Sequence, residues 1–211
     1  MKKNVFILFV FVLISGAAFA QKPDWSSDVY MEEQIYPGYI IKSNGEKIEG
    51  FIKALPRGAS EDGLMPSNQT RCDFYTDPKN KKTKVVYKPA DLIGYKIADK
   101  YYKSIAYSGG LMAKANFCLQ TSAGRISTYV WYSKKNLTQW EEKDLIQKGD
   151  EKPMDQSMFM LSFAKKMSEM ASDYPELAAK VSNKDKGYGV GSMFDVIKEY
   201  NEWYAKNHPE N

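Results

Sequence analysis

Tyr39-Ile40-Ile41-Lys42-Ser43-Asn44-Gly45-Glu46-Lys47-Ile48-Glu49-Gly50-Phe51-Ile52 is a β-hairpin written in the chemistry of its turn. Apolar residues flank Asn44-Gly45, and that dipeptide supplies two residues tolerant of positive φ, as a two-residue type I′ turn requires. Pairing about such a turn sets Ile41 against Ile48 and puts Tyr39 and Ile52 on the same, core-facing side. It also sets Lys42 opposite Lys47, a mild repulsion on the solvent side.

A long polar connection over 55–69 follows the hairpin, and then short strand patterns at 71–75, 84–88, 92–97 and 101–105. They are punctuated by the basic tip Lys79-Asn80-Lys81-Lys82-Thr83-Lys84, by Pro89-Ala90-Asp91 and by Ala98-Asp99-Lys100. The clearest alternation lies in 113–120 and 125–132, joined by Thr121-Ser122-Ala123-Gly124. One face carries Ala115, Phe117, Leu119, Ile126, Thr128, Val130 and Tyr132, and its period of two marks it as core. The other carries Lys114, Asn116, Cys118, Gln120, Arg125, Ser127, Tyr129 and Trp131. The expectation for this mixed face is that C-terminal helices cover it. The competing reading leaves it open, with Tyr129 and Trp131 stacking a ligand that Asn116 and Lys114 orient and with Tyr101 and Tyr102 as further rings.

After Gln156 the period changes from two to that of a helix. Phe159, Phe163, Met167 and Met170 fall at helical spacing, as do Met193, Ile197, Tyr200 and Tyr204. Between them, Asp173-Tyr174-Pro175-Glu176 opens a short helix through Val181, since proline suits a first turn. The stripe is too apolar to stay wet, so the helices are expected to pack on the sheet. The fold expected is α+β: an antiparallel β-rich small barrel or bent sheet over 37–155, followed by a helical segment over 156–211.

The start of the chain reads as an address and not as fold. Lys2 and Lys3, an apolar run over 5–14 and Ala18-Phe19-Ala20 make the three parts of a secretory signal peptide over 1–20. Cleavage between Ala20 and Gln21 leaves an N-terminal arm over 21–36 and no cysteine to take a lipid. The mature chain is therefore expected to be exported, periplasmic or secreted, with no transmembrane or lipid anchor.

Without the first twenty residues the chain carries 28 basic and 26 acidic side chains. Only Arg57, Arg71 and Arg125 offer the guanidinium fork that phosphate and guanine recognition use, which argues against nucleic acid as a partner. Fifteen tyrosines suit half-exposed sheet faces and contacts to an envelope protein or glycan, and equally a small barrel with a thin core, which is the reading preferred. Cys72 and Cys118 are an even pair in an exported chain. A bridge between them would close about 45 residues and contribute ~3–4 kcal/mol on the loop-entropy account; two separately buried thiols are the alternative.

Little here can do chemistry. The one histidine, His208, is the fourth residue from the end, in a tail that could hold it beside a nucleophile only by docking. No metal-ligand spacing occurs, and no metal or cofactor is expected. Gly187-Tyr188-Gly189-Val190-Gly191 lacks both the spacing and the preceding strand of a dinucleotide loop, so it reads as an inter-helix connection. Carboxylates are left: Glu46 with Glu49, Asp73 with Asp77, and Glu141, Glu142 and Asp144 could serve a hydrolase of envelope glycans through a general acid and a base.

Three blocks carry a resemblance. Gly38-Tyr39-Ile40-Ile41 with Asn44-Gly45-Glu46-Lys47-Ile48-Glu49-Gly50 is the first, and Tyr87-Lys88-Pro89-Ala90-Asp91-Leu92-Ile93-Gly94-Tyr95 the second. Gly124 ahead of Tyr129, with the late Tyr200-Asn201, is the third. Together they resemble a family of small exported Bacteroidetes-type proteins to which no chemistry is assigned. The resemblance implies provenance and architecture and carries no catalytic residue. The 39–97 segment also resembles the layout of SH3-like and Sm-like small barrels, a likeness of fold that names no ligand. The function expected is that of a non-enzymatic envelope or secreted binding or structural module, the glycan hydrolase being the alternative.

Overall fold

A computed structural model describes residues 33–55, 67–107, 114–136 and 139–209. The signal peptide, the Ala20–Gln21 junction and nearly all of the N-terminal arm lie outside them. Among the described residues the fold is α+β: a ten-stranded antiparallel sheet, not closed, with helices after it. The strands are β1 (Ile35–Lys42), β2 (Lys47–Lys53), β3 (Cys72–Tyr75), β4 (Lys84–Tyr87), β5 (Leu92–Ile97), β6 (Lys100–Ala106), β7 (Ala115–Ser122), β8 (Ile126–Lys134), β9 (Trp140–Lys148) and β10 (Met154–Asp155). Their order across the sheet is β10-β9-β8-β7-β6-β5-β1-β2-β3-β4. A four-residue turn of helix, α1 (Ser67–Thr70), precedes β3, and α2 (Gln156–Met160), α3 (Phe163–Met170), α4 (Pro175–Ser182) and α5 (Met193–Asn207) follow β10.

The β1–β2 hairpin forms, but one residue out of the expected register. Its loop is the three residues Ser43-Asn44-Gly45, closed by Gly45 N donating to Lys42 O at 2.9 Å and Lys42 N to Glu46 O at 2.9 Å. Gly45 alone in the loop has positive φ, at 86°, which makes this a turn followed by a glycine bulge in place of a type I′ pair. Ile40 therefore faces Ile48, and Tyr36 faces Ile52. Ile40 and Ile52 are buried, while Tyr39 and Ile41 turn to the opposite face. The slip has a physical reason: it sets Lys42 against Glu46, ion-paired at 3.0 Å, and removes the Lys42–Lys47 repulsion.

One face of the sheet curls around a core that draws on β1, β2, β3, β5, β6, β7 and β8, including Ile40, Phe74, Tyr95, Phe117, Leu119 and Val130. The same face continues past β8 onto the helices. Ile126 and Ile146 pack with Phe159, Phe163, Met167, Leu177, Ile197 and Tyr200, so the helical stripe read from the sequence is buried on the sheet. The expectation that the helices cover Tyr129 and Trp131 is wrong, because they lie against the opposite side of β8.

Two carboxamides hold β8 by mimicking a neighbouring strand. At one end Ile126 N donates to Asn201 Oδ1, and Asn201 Nδ2 donates to Ile126 O, both at 2.8 Å. At the other end Tyr132 N donates to Gln69 Oε1 at 2.7 Å, and Gln69 Nε2 donates to Tyr132 O at 2.9 Å. Gly124 makes room for the first clamp, since a Cβ there would lie 2.4 Å from the Asn201 amide. Lys148 anchors the helices further. Its ammonium donates to Met170 O at 2.6 Å and to Asp173 at 3.0 Å, and the Tyr200 hydroxyl donates to the same carboxylate at 2.8 Å. Burial pushes the Asp173 carboxyl up, but the hydrogen bonds from Tyr200 and Lys148 outweigh it and hold the group below its ordinary value.

Candidate ligand-facing surface

Strand alternation sends the odd-numbered residues of β1, β6, β8 and β9 to the outer face, the side away from the curled core. Two rows of side chains cross it. In the first, Glu49, Tyr39, Lys96 and Tyr101 stand each opposite the next on β2, β1, β5 and β6. On the later strands that row continues through Gln120, Tyr129 and Leu145. The second runs Lys47, Ile41, Gly94, Lys103 and Cys118, and ends with Trp131 opposite Lys143.

The two ends of these rows differ in cover. On the β1–β5–β6 side, Tyr39, Ile41, Lys96, Tyr101 and Lys103 are half-buried, and Lys47 and Glu49 are exposed. Gly94 supplies a dent, and Tyr101 lies down in it: a Cβ at Gly94 would meet the Tyr101 hydroxyl at 2.5 Å. The Tyr39 and Tyr101 rings end 6.4 Å apart at 38°. Lys47 holds its ammonium 4.1 Å from the centre of the Tyr39 ring while pairing with Glu49 at 2.6 Å. Burial, with Tyr39 and Tyr129 adding to it, pushes the Tyr101 phenol up to about 12.

On the β7–β8–β9 side the face is closed. Tyr129 is 1% exposed and Trp131 9%, packed with Ile105, Cys118 and Leu145. Tyr107, just past β6, crosses over them with its ring 5.2 Å from Trp131 at 80°. Asn116 fastens that crossing by donating its amide to Tyr107 O at 2.7 Å. The Trp131 indole N–H finds no acceptor among the described residues.

The residues singled out from sequence therefore divide. Trp131 and Tyr129 are packed beneath Tyr107, Asn116 is a clamp, and Lys114 is exposed at the foot of β7. Tyr102 points inward, fully buried and stacked on Tyr95 at 4.9 Å and 10°. Of the six, only Tyr101 lies on the open part. Its companions Tyr39 and Lys96 were missed because the one-residue register error had turned Tyr39 inward. The alternation of tyrosine and lysine across β1, β5 and β6 is a signal between strands, which no reading along the chain contains.

Cys72 and Cys118 are free thiols, one in the inner core and one on the outer face, so the bridge their even count allows is not formed. Burial pushes the Cys118 thiol up to about 12 and the Cys72 thiol well above its ordinary value.

Groups capable of acid–base work are engaged elsewhere. His208 ends α5, its ring 4.1 Å from Tyr204 and Nδ1 3.0 Å from Tyr204 O. Asp73 is buried between Arg71 and Lys84. Asp77 accepts from the Lys79 amide at 2.9 Å. The hydrogen bond from Lys42 holds Glu46 below its ordinary value, and those from Ser133 and Lys143 do the same for Glu141. Among the described residues no three His, Cys, Asp or Glu side chains gather as a metal ion would need, and no helix is long and apolar enough to cross a membrane.

Comparison with protein families, with curated proteins and with solved structures finds no match to this chain.

Proposed function

We propose that this protein is an exported, non-enzymatic binding module of the cell envelope whose ligand face is the open half of the outer sheet surface, around Tyr39, Lys96 and Tyr101. One observation carries the reading: two half-exposed tyrosines, their rings 6.4 Å apart, stand on the strands either side of Lys96, on a sheet face that none of the described helices covers. The carboxylates argue in the same direction. A glycosidase acid needs its pKa raised by burial in apolar surroundings, whereas Glu46 and Glu141 are held ionised by hydrogen-bond donors at the surface. The 39–97 segment, laid out like SH3-like and Sm-like small barrels, serves as the rigid scaffold for that face. The charged opening, apolar run and Ala18-Phe19-Ala20 support export, as does the likeness to small exported Bacteroidetes-type proteins.

The test uses mature protein, residues 21–211, mixed with isolated envelope glycans. Retention of the glycan without new reducing ends, weakened by Tyr39→Ala or Tyr101→Ala, is the expected result. New reducing ends that vanish in Glu141→Gln would overturn the reading in favour of hydrolysis. Intact mass of the protein from the envelope fraction should begin at Gln21, and full-length protein in the cytoplasm would contradict export.

A further inference from the structure

We infer that the open half of the outer face takes an acidic glycan, a chain of sugar units bearing carboxylates; this rests on the reading of that face as the ligand surface. The occupant follows from what the face offers and what it withholds. Tyr39, Lys96 and Tyr101 lie on β1, β5 and β6, in the middle of the ten-strand order. Their backbones are spoken for on both sides, by β2 and β5, by β1 and β6, and by β5 and β7. A peptide that joins a sheet as an added strand needs a free edge, and no free edge exists here. Side chains alone must do the recognising.

Those side chains are of two kinds. Tyr101 is laid along the sheet in the Gly94 dent, and Tyr39 stands beyond Lys96, so ring surface is offered at two points on one row. Ring faces with polar tips suit a ligand that is apolar on one side and hydroxylated at its rim, as a pyranose is. The charges select the sign. Lys47 and Lys103 each have an acid nearby, Glu49 at 2.6 Å and Asp150 at 3.8 Å. Lys96 has no carboxylate within ion-pairing distance among the described residues, although its strand β5 runs between the strands that carry the two tyrosines. An ammonium is a point charge without a planar fork, which suits single carboxylates spaced along a chain better than a bidentate phosphate clamp. Across the three strands the order is tyrosine, lysine, tyrosine, and it matches a sugar that stacks on the paired rings and carries an acid group at its rim.

Affinity electrophoresis of mature protein through gels containing polygalacturonate, or dextran as the neutral chain, tests this. The expected result is retardation by polygalacturonate and not by dextran, with apparent Kd raised about tenfold in Lys96→Gln and in Tyr101→Ala. A tenfold loss for one ammonium corresponds to ~1.4 kcal/mol. Tyr101→Phe keeps the ring and should keep most of the affinity, which separates loss of stacking from loss of fold. Equal retardation by dextran, unchanged in Lys96→Gln but lost in Tyr101→Ala, would overturn the acidic ligand and leave the binding face standing. Retardation by polygalacturonate that none of these variants changes would overturn both. Retardation by neither chain would overturn the acidic glycan alone, and the envelope-glycan experiment then decides the face.

Discussion

The two halves of the outer sheet face are built from the same parts and end in opposite states. Each has two large aromatics on one or two strands, tyrosine ahead of tryptophan in one and tyrosine beside tyrosine in the other, with a lysine close by. Around Tyr129 and Trp131 the residue that follows β6, Tyr107, lands on the indole, and Asn116 pins it there. Around Tyr39 and Tyr101 no such crossing occurs among the described residues, and the rings stay half in water. Strand alternation decides which face a residue takes, but a side chain laid over that face, as Tyr107 is, decides whether it becomes core. An aromatic on a polar-looking face is thus no guide to a ligand until its cover is known.

The largest expected effect that could break this contrast is the difference between Trp131→Ala and Tyr39→Ala. Removing a buried tryptophan should cost ~3–5 kcal/mol through the cavity left behind. Tyr39→Ala on the open half should cost much less, since part of the ring is already hydrated. Urea unfolding of both variants measures it, and equal losses would mean that the two halves are covered alike.

An intermediate effect concerns the strand that carries the closed half. Asn201→Ala removes both bonds to Ile126 and leaves a buried amide and carbonyl without that partner, at ~1–3 kcal/mol for groups so stranded. Gln69→Ala should do the same at Tyr132. Asn201→Ala should in addition speed amide exchange in α5 more than in β1, whereas uniform acceleration would show that the clamp is not local.

Much of this architecture is legible in the sequence. Asn44-Gly45 locates the first turn, and Pro175 and the Met193–Ile197–Tyr200 spacing locate the helices that pack on the sheet. The register escaped because Gly45 takes a bulge after Ser43-Asn44, and the choice between two and three loop residues turns on a Lys42–Glu46 pair that only the folded hairpin makes. Strand β9 escaped because Trp140-Glu141-Glu142-Lys143-Asp144 is polar on both sides, and only Leu145 and Ile146 reveal burial. It is a strand because nine residues of β8 pair with it. The candidate site was half read: Tyr101 was visible, while Tyr39 and Lys96 join it only through cross-strand register.

The smallest expected effect is on the alkaline limb. With its phenol pushed up to about 12, Tyr101 binds its proton more tightly folded than unfolded, where the ordinary value is ~10. Its contribution is complete below the unfolded value and is lost as pH rises from there through the folded one. Tyr101→Phe should flatten the fall in stability over that range, measured by denaturation at stepped pH, and an unchanged slope would assign the limb to other tyrosines.

Hydroxyl-radical footprinting of the free mature protein, read by mass spectrometry residue by residue, tests the division of the outer face most directly. Tyr39 and Tyr101 should be oxidised in the native state, while Tyr129 and Trp131 should stay protected until the protein unfolds. Native oxidation of Trp131 at a rate matching that of Tyr39 would contradict the account.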